Sequence, residues 1–377
     1  MKKCLWCTAV MLLIGACLCL PASANEADYS TLPEQYVALE EYVPTELTEI
    51  LPEGLFSSDP GSVQAALAQM LSFSGLLELL LDMAGMHLAE SGRLLASVCG
   101  ILLLCGLMRA FGNAQQIGWA GLAPRLCLFG AVVGAGYAAV SAMVEYFHAL
   151  QKLVGGLLPM MSVMYLLGGN VSRATVGNAT LSVGLNVCGG VCAEIAPPLF
   201  GACMAMSLPT VMESGVDLSK VSGFLKKTYT SVLGVLTLIL TLCLSAQNLI
   251  ASHSDSLAMR SGRYAIGQMI PVVGGALGGS LDTLAASLGL LRGLAGTSAV
   301  LLLLLGCLPV LCRMLILRAL FDFGSSVAHL MGCGPEGTVL GEAGSLFGYM
   351  AAAVAMCTAV FIIAVGAFAS CAAAWVS

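Results

Sequence analysis

The chain has 377 residues, of which 58% are hydrophobic and 10% charged, with a net charge of −6. That balance excludes a water-soluble enzyme, because too few polar residues are present to coat one soluble core of this size. It also excludes a nucleic-acid binder, because the 15 Lys and Arg are scattered rather than gathered into a phosphate-tracking stripe. Long continuous apolar runs, in place of short alternating strands, predict an all-α polytopic membrane helix bundle.

Residues 1–24 read as a secretory signal peptide. Lys2 and Lys3 open it, Leu5–Leu20 is its apolar stretch, and Ala22-Ser23-Ala24 is a small-x-small cleavage site. An uncleaved first helix and lipoprotein processing at Cys17 are the rival readings. Residues 25–92 carry twelve acidic side chains and no Lys or Arg. This segment is expected to be extracytoplasmic. Pro33, Pro44, Pro52 and Pro60 punctuate its first part, and an amphipathic helix is predicted from Ser62, with Leu67, Met70, Leu71, Leu77 and Leu81 on one side. Without basic residues that helix suits a protein contact better than a lipid surface.

Residues 93–377 form the expected transmembrane domain, with about 7–9 spans, some broken or re-entrant. Apolar runs lie near 94–111, 126–147, 153–169, 179–212, 228–250, 264–290, 294–312 and 346–374. Pro197-Pro198 and Pro209 interrupt the 179–212 run, which predicts a re-entrant or kinked pair there. Pro271, with Gly274, Gly275, Gly278 and Gly279, interrupts 264–290. Arg109 and Arg125 bracket one loop, and Lys220, Lys226 and Lys227 crowd another; the positive-inside tendency places both in the cytoplasm. The charge pattern does not decide the topology beyond residue 250. A spacing of 112 residues relates Pro159 to Pro271, Pro197 to Pro309 and Asn170 to Asp282. Chance and an ancestral duplication both account for it; the second would resemble repeat-built transporters.

No Walker A loop, H-E-x-x-H or G-x-S-x-G occurs, and the four histidines have no Cys or acid at ligand spacing. No enzyme, cofactor or metal is therefore expected. The twelve cysteines beyond the leader lie in or beside apolar runs, so Cys188 and Cys192 read as small buried hydrophobes. Ionisable groups within apolar runs are the better pointers, since burying one costs about 2.5–3.5 kcal/mol on the insertion scale. Glu194 reads either as a cavity-facing acid beside a broken helix or as a residue in the turn of a hairpin. Asp282 reads as a half-helix cap, a pathway group, or a solvated residue. Pro159, Asn170, Glu194, Pro197, Pro271, Gly274, Gly275, Gly278 and Asp282 are thus the candidate pathway or packing residues. Gly274 and Gly278 also stand at small-xxx-small spacing, which permits close helix contact.

The run Arg263-Tyr264-Ala265-Ile266-Gly267-Gln268-Met269-Ile270-Pro271-Val272-Val273-Gly274-Gly275-Ala276-Leu277-Gly278 resembles the stage III sporulation protein AE family. So do Gly156-Leu157-Leu158-Pro159, Ala196-Pro197-Pro198 and the layout of leader, acidic segment and polytopic domain. The resemblance implies a membrane component of a channel-like sporulation apparatus, in the mother-cell membrane around the engulfed forespore. It implies other membrane subunits as partners, a separate ATPase among them, and a forespore membrane protein across the intermembrane space. It carries no catalytic residues. A self-sufficient secondary transporter with repeat-related broken helices is the alternative function.

Overall fold

The computed structural model describes residues 62, 85, 91–108, 122–167, 171–212, 218–269 and 274–369. Side-chain surroundings are described for 62, 85, 91–108, 122–166, 174, 175, 177–210, 212, 218–246 and 295–367. The signal peptide, nearly all of the acidic segment, Asn170 and Pro271 lie outside the described residues. For Gly274, Gly275, Gly278 and Asp282 only the helical backbone is described.

The longer described segments form six helices: α1 Ser91–Met108, α2 Leu122–Leu167, α3 Val171–Val211, α4 Ser219–Met269, α5 Gly274–Leu330 and α6 Gly334–Ala369. Each contains a stretch long and apolar enough to cross a membrane, and no strand occurs among the described residues. Helices suit such a sequence because each backbone N–H and C=O finds its partner within the segment, where lipid offers none.

The expected breaks are fewer than the apolar runs indicated. Runs 126–147 and 153–169 belong to one helix, α2, because the intervening His148-Ala149-Leu150-Gln151-Lys152 is polar but contains no helix breaker. The region around Pro197-Pro198 is not re-entrant: α3 continues through Pro197, Pro198 and Pro209. A proline removes one N–H and strands one carbonyl, and packed neighbours can absorb that within a membrane domain. Pro159 and Pro309 likewise sit inside α2 and α5.

Helix α6 is the hub. It packs on α2, α3, α4 and α5, and 78% of its apolar span is buried, against 17% for α1. Phe321 of α5 stacks on Phe347 of α6 with ring centroids 5.6 Å apart, and Phe200 of α3 lies 6.1 Å from the same ring. Contact pairs set the directions. Arg125–Glu336 and Tyr146–Thr358 make α2 parallel to α6. Phe200 against Gly136, Gln151 against Gly189 and Asn178 against Ser162 make α3 antiparallel to α2. Leu240 against Gly184 sets α4 beside α3.

Helices α5 and α6 form the tightest hairpin. Gly332 adopts φ +73°, the left-handed conformation that ends α5. The Cys333 N–H donates to Ala328 O at 2.8 Å and the Gly332 N–H to His329 O at 3.2 Å, closing a Schellman turn. Pro335 then sits in the first turn of α6, where its missing N–H costs nothing. Gly332→Val should cost about 1–2 kcal/mol, because a Cβ strains that conformation. A lowered unfolding temperature in detergent would report it. Along the hairpin, Gly337, Gly341, Gly344 and Gly348 of α6 make a smooth stripe that receives His329, Ser325, Asp322 and Arg318 of α5 in turn.

Candidate functional site

The central helix carries two acids, and each holds a basic group from another helix. Glu336 lies in the first turn of α6, where the helix dipole favours a negative charge. Arg125 Nε of α2 donates to its Oε1 at 3.0 Å, with the two side chains 14% and 1% exposed. Further along α6, Glu342 Oε2 accepts from Lys226 Nζ of α4 and from Ser222 Oγ at 3.2 Å. Lys226 Nζ also donates to Ser345 Oγ at 2.8 Å. The Lys226 side chain is 3% exposed and that of Glu342 is 23% exposed. A lone charge in this setting would be expelled or neutralised; a paired one bonded to hydroxyls is tolerated.

A water-sized cavity opens beside this pair between α3, α4 and α6. Ser207, Thr210, Ser219, Ser222, Thr338 and Glu342 supply its polar lining. Beyond it along α6 lies a second buried polar layer. Cys192 Sγ of α3 is 3.4 Å from Cys357 Sγ of α6, and Cys188 is buried nearby on α3. The Tyr146 hydroxyl shares a 2.6 Å hydrogen bond with Thr358 Oγ1, and Thr358 also donates to Val354 O at 2.9 Å. The Tyr229 hydroxyl is buried with no hydrogen-bond partner among the described residues. Cys188 and Cys192 thus occupy the core, as their apolar surroundings in the sequence indicate.

The sequence-derived candidates do not gather at this centre. Pro159 lies in the last third of α2. Glu194 is exposed in the interior of α3, not in a turn, and Pro197 continues the same helix. The residues that organise the centre were not singled out from the sequence. The charge pattern places Lys226 with Lys220 and Lys227 in a cytoplasmic loop, whereas all three lie on α4 and Lys226 is buried. Its partner stands 116 residues away, a separation that no local window can see. Glu342, within Leu340-Gly341-Glu342-Ala343-Gly344 at the edge of an apolar run, was the one signal available.

An integral-membrane helix bundle, organised around one buried helix that carries two inter-helix ion pairs, is the class these features define. The sequence profile of stage III sporulation protein AE matches residues 63–372. The chain belongs to that family. It is similar to the stage III sporulation protein AE of Bacillus subtilis (strain 168), at 21% identity over 326 residues, covering 85% of this chain and 80% of the relative. No solved structure matches the chain.

Proposed function

We propose that the chain is a non-enzymatic integral-membrane subunit of a sporulation channel or export apparatus linking mother cell and forespore. In this reading it resides in the mother-cell membrane around the forespore, with its N-terminal segment extracytoplasmic. The end of the bundle bearing Arg125, Lys220 and Lys227 is then cytoplasmic, in keeping with the positive-inside tendency. Family membership is the observation that carries the reading. In this reading the buried polar groups among the described residues serve to join helices to one another. A separate ATPase subunit would supply energy, since no nucleotide loop is present in the sequence.

A second reading, a self-sufficient secondary transporter, draws support from the buried Lys226–Glu342 pair beside a hydroxyl-lined cavity. One experiment separates the two. The tagged chain is recovered from sporulating cells in two mild detergents, and its companions are identified by mass spectrometry. An ATPase and other sporulation membrane proteins in fixed ratio are the expected result. Recovery of the chain alone in both detergents would overturn the subunit reading and favour the transporter.

A further inference from the structure

We infer that Cys192 of α3 and Cys357 of α6 are a disulfide-forming pair, and that their bond is a covalent fastener between α3 and the central helix. The bond is a property of this chain alone and holds under either reading of its function.

The two sulfur atoms lie 3.4 Å apart, and both side chains are wholly buried. A disulfide needs them to close to about 2 Å, which small side-chain rotations supply when the helices already touch. They do touch: the ring centroids of Phe200 on α3 and Phe347 on α6 are 6.1 Å apart, two to three turns from the thiols on each helix. Cys188 lies one turn before Cys192 and also stands beside the Cys357 thiol. The Tyr229 hydroxyl of α4 borders Cys192, and it is buried with no hydrogen-bond partner among the described residues. A phenol so placed can donate to the Cys192 sulfur as a thiolate, the form that exchanges with disulfides. Three thiols together would also suit a soft metal ion. However, no three His, Cys, Asp or Glu side chains among the described residues are placed to hold one.

The surroundings show what the bond does. Pro197 and Pro198 lack the N–H groups that would reach the carbonyls of Ala193 and Glu194, so the hydrogen-bond ladder of α3 is weakened just after Cys192. A bond from Cys192 to α6 holds α3 at that point. The two cysteines are 165 residues apart, and α4 and α5 lie between them. Closing so long a loop restricts the unfolded chain strongly. From the pair, the seam between α3 and α6 runs past Phe200 and Phe347 to the cavity at Ser207 and Glu342, about 22 Å away at 1.5 Å per residue. The bond pins one end of this seam and leaves the cavity end held by noncovalent contacts. The oxidant is a second disulfide, either a small apolar one or that of a thiol–disulfide oxidoreductase. The Cys192 thiolate attacks one of its sulfurs and expels the other as a thiolate. The Cys357 thiolate then attacks the Cys192 sulfur and expels the second. The two protons lost by the protein thiols go to the two thiolates released, so one disulfide is consumed for each one formed.

The test reads the bond directly. Native membranes holding the full chain are treated with dithiodipyridine, a small apolar disulfide that enters lipid. They are then quenched in acid, alkylated in denaturant and digested. Mass spectrometry should find two peptides joined through Cys192 and Cys357, and reduction should separate them. The oxidised chain should unfold in detergent about 5 °C or more above the reduced chain. Cys357→Ala should abolish both the joined peptides and this difference, whereas Cys188→Ala should keep both. Once formed, the buried bond should be cleaved by a charged, membrane-impermeant phosphine at least tenfold more slowly in native membranes than in denaturant. Cys192 and Cys357 left free, or each capped singly by thiopyridine, would overturn the pairing. So would peptides joined through Cys188 in place of Cys192. An unfolding temperature unchanged by oxidation, or equal cleavage rates in membranes and denaturant, would overturn the buried fastener.

Discussion

Replacing Glu342 by leucine should remove most of the folded chain from the membrane. The substitution leaves the Lys226 ammonium buried, its side chain 3% exposed, with only neutral hydroxyls around it. Breaking a buried pair from one side costs about 3–5 kcal/mol, a large part of the stability of a typical domain. The reciprocal change, Lys226→Met, should cost less, because Glu342 is 23% exposed beside a polar cavity and can recruit water. The double variant Lys226→Met with Glu342→Leu should recover much of the loss, since well-packed apolar groups often replace a buried ion pair at little cost. Membrane abundance and thermal unfolding in detergent would read all three. A double variant no more stable than Glu342→Leu would contradict the pairing. If the double variant is abundant yet blocks sporulation, the charges serve the pathway as well as the fold.

The second large effect is expected at the α5–α6 seam. A Cβ on Gly344 would press on the Asp322 carboxylate and on the Arg318 carbonyl, and one on Gly348 would press on the Arg318 guanidinium. Gly344→Leu should therefore force the two helices apart, at a cost of about 1–3 kcal/mol or more, because a packed interface cannot absorb the added volume. Gly201→Leu, on an exposed helix position with nothing near its would-be Cβ, should be close to neutral. Gly341→Ala should be mild, since its nearest neighbour is the rotatable Ser325 hydroxyl. Protease resistance of the hairpin in native membranes would rank the three. A Gly201→Leu chain as sensitive as Gly344→Leu would show that bulk in the bilayer, not the seam, is responsible.

The polar turn at His148–Lys152 of α2 and the pair on α4 and α6 show where local sequence reading succeeds and where it stops. Hydropathy located the apolar runs and their membrane character, because burial of apolar side chains in lipid is a property of each segment alone. It over-divided them, ending one run at residue 147 and opening the next at 153. In the fold those residues are one turn of α2, with His148 and Lys152 exposed on the same side as Glu145 and Gln151 packed on Gly189 of α3. It misplaced Lys226 for the complementary reason: a basic residue near a span end reads as part of a charged loop until its acid is known. Glu194, a carboxylate in an apolar run, is exposed and contributes no ion pair to the centre.

The sequence by itself determined that this is an all-helical membrane protein, which stretches are apolar enough to span, and to which family the chain belongs. Composition, run length and motif spacing are additive along the chain, so they are legible without a fold. Only the tertiary structure decided that α6 is the buried hub and that Arg125 meets Glu336 and Lys226 meets Glu342. Each of these is a relation between residues far apart in sequence. A charge is costly or harmless in a membrane according to what stands opposite it, and that partner is chosen by packing.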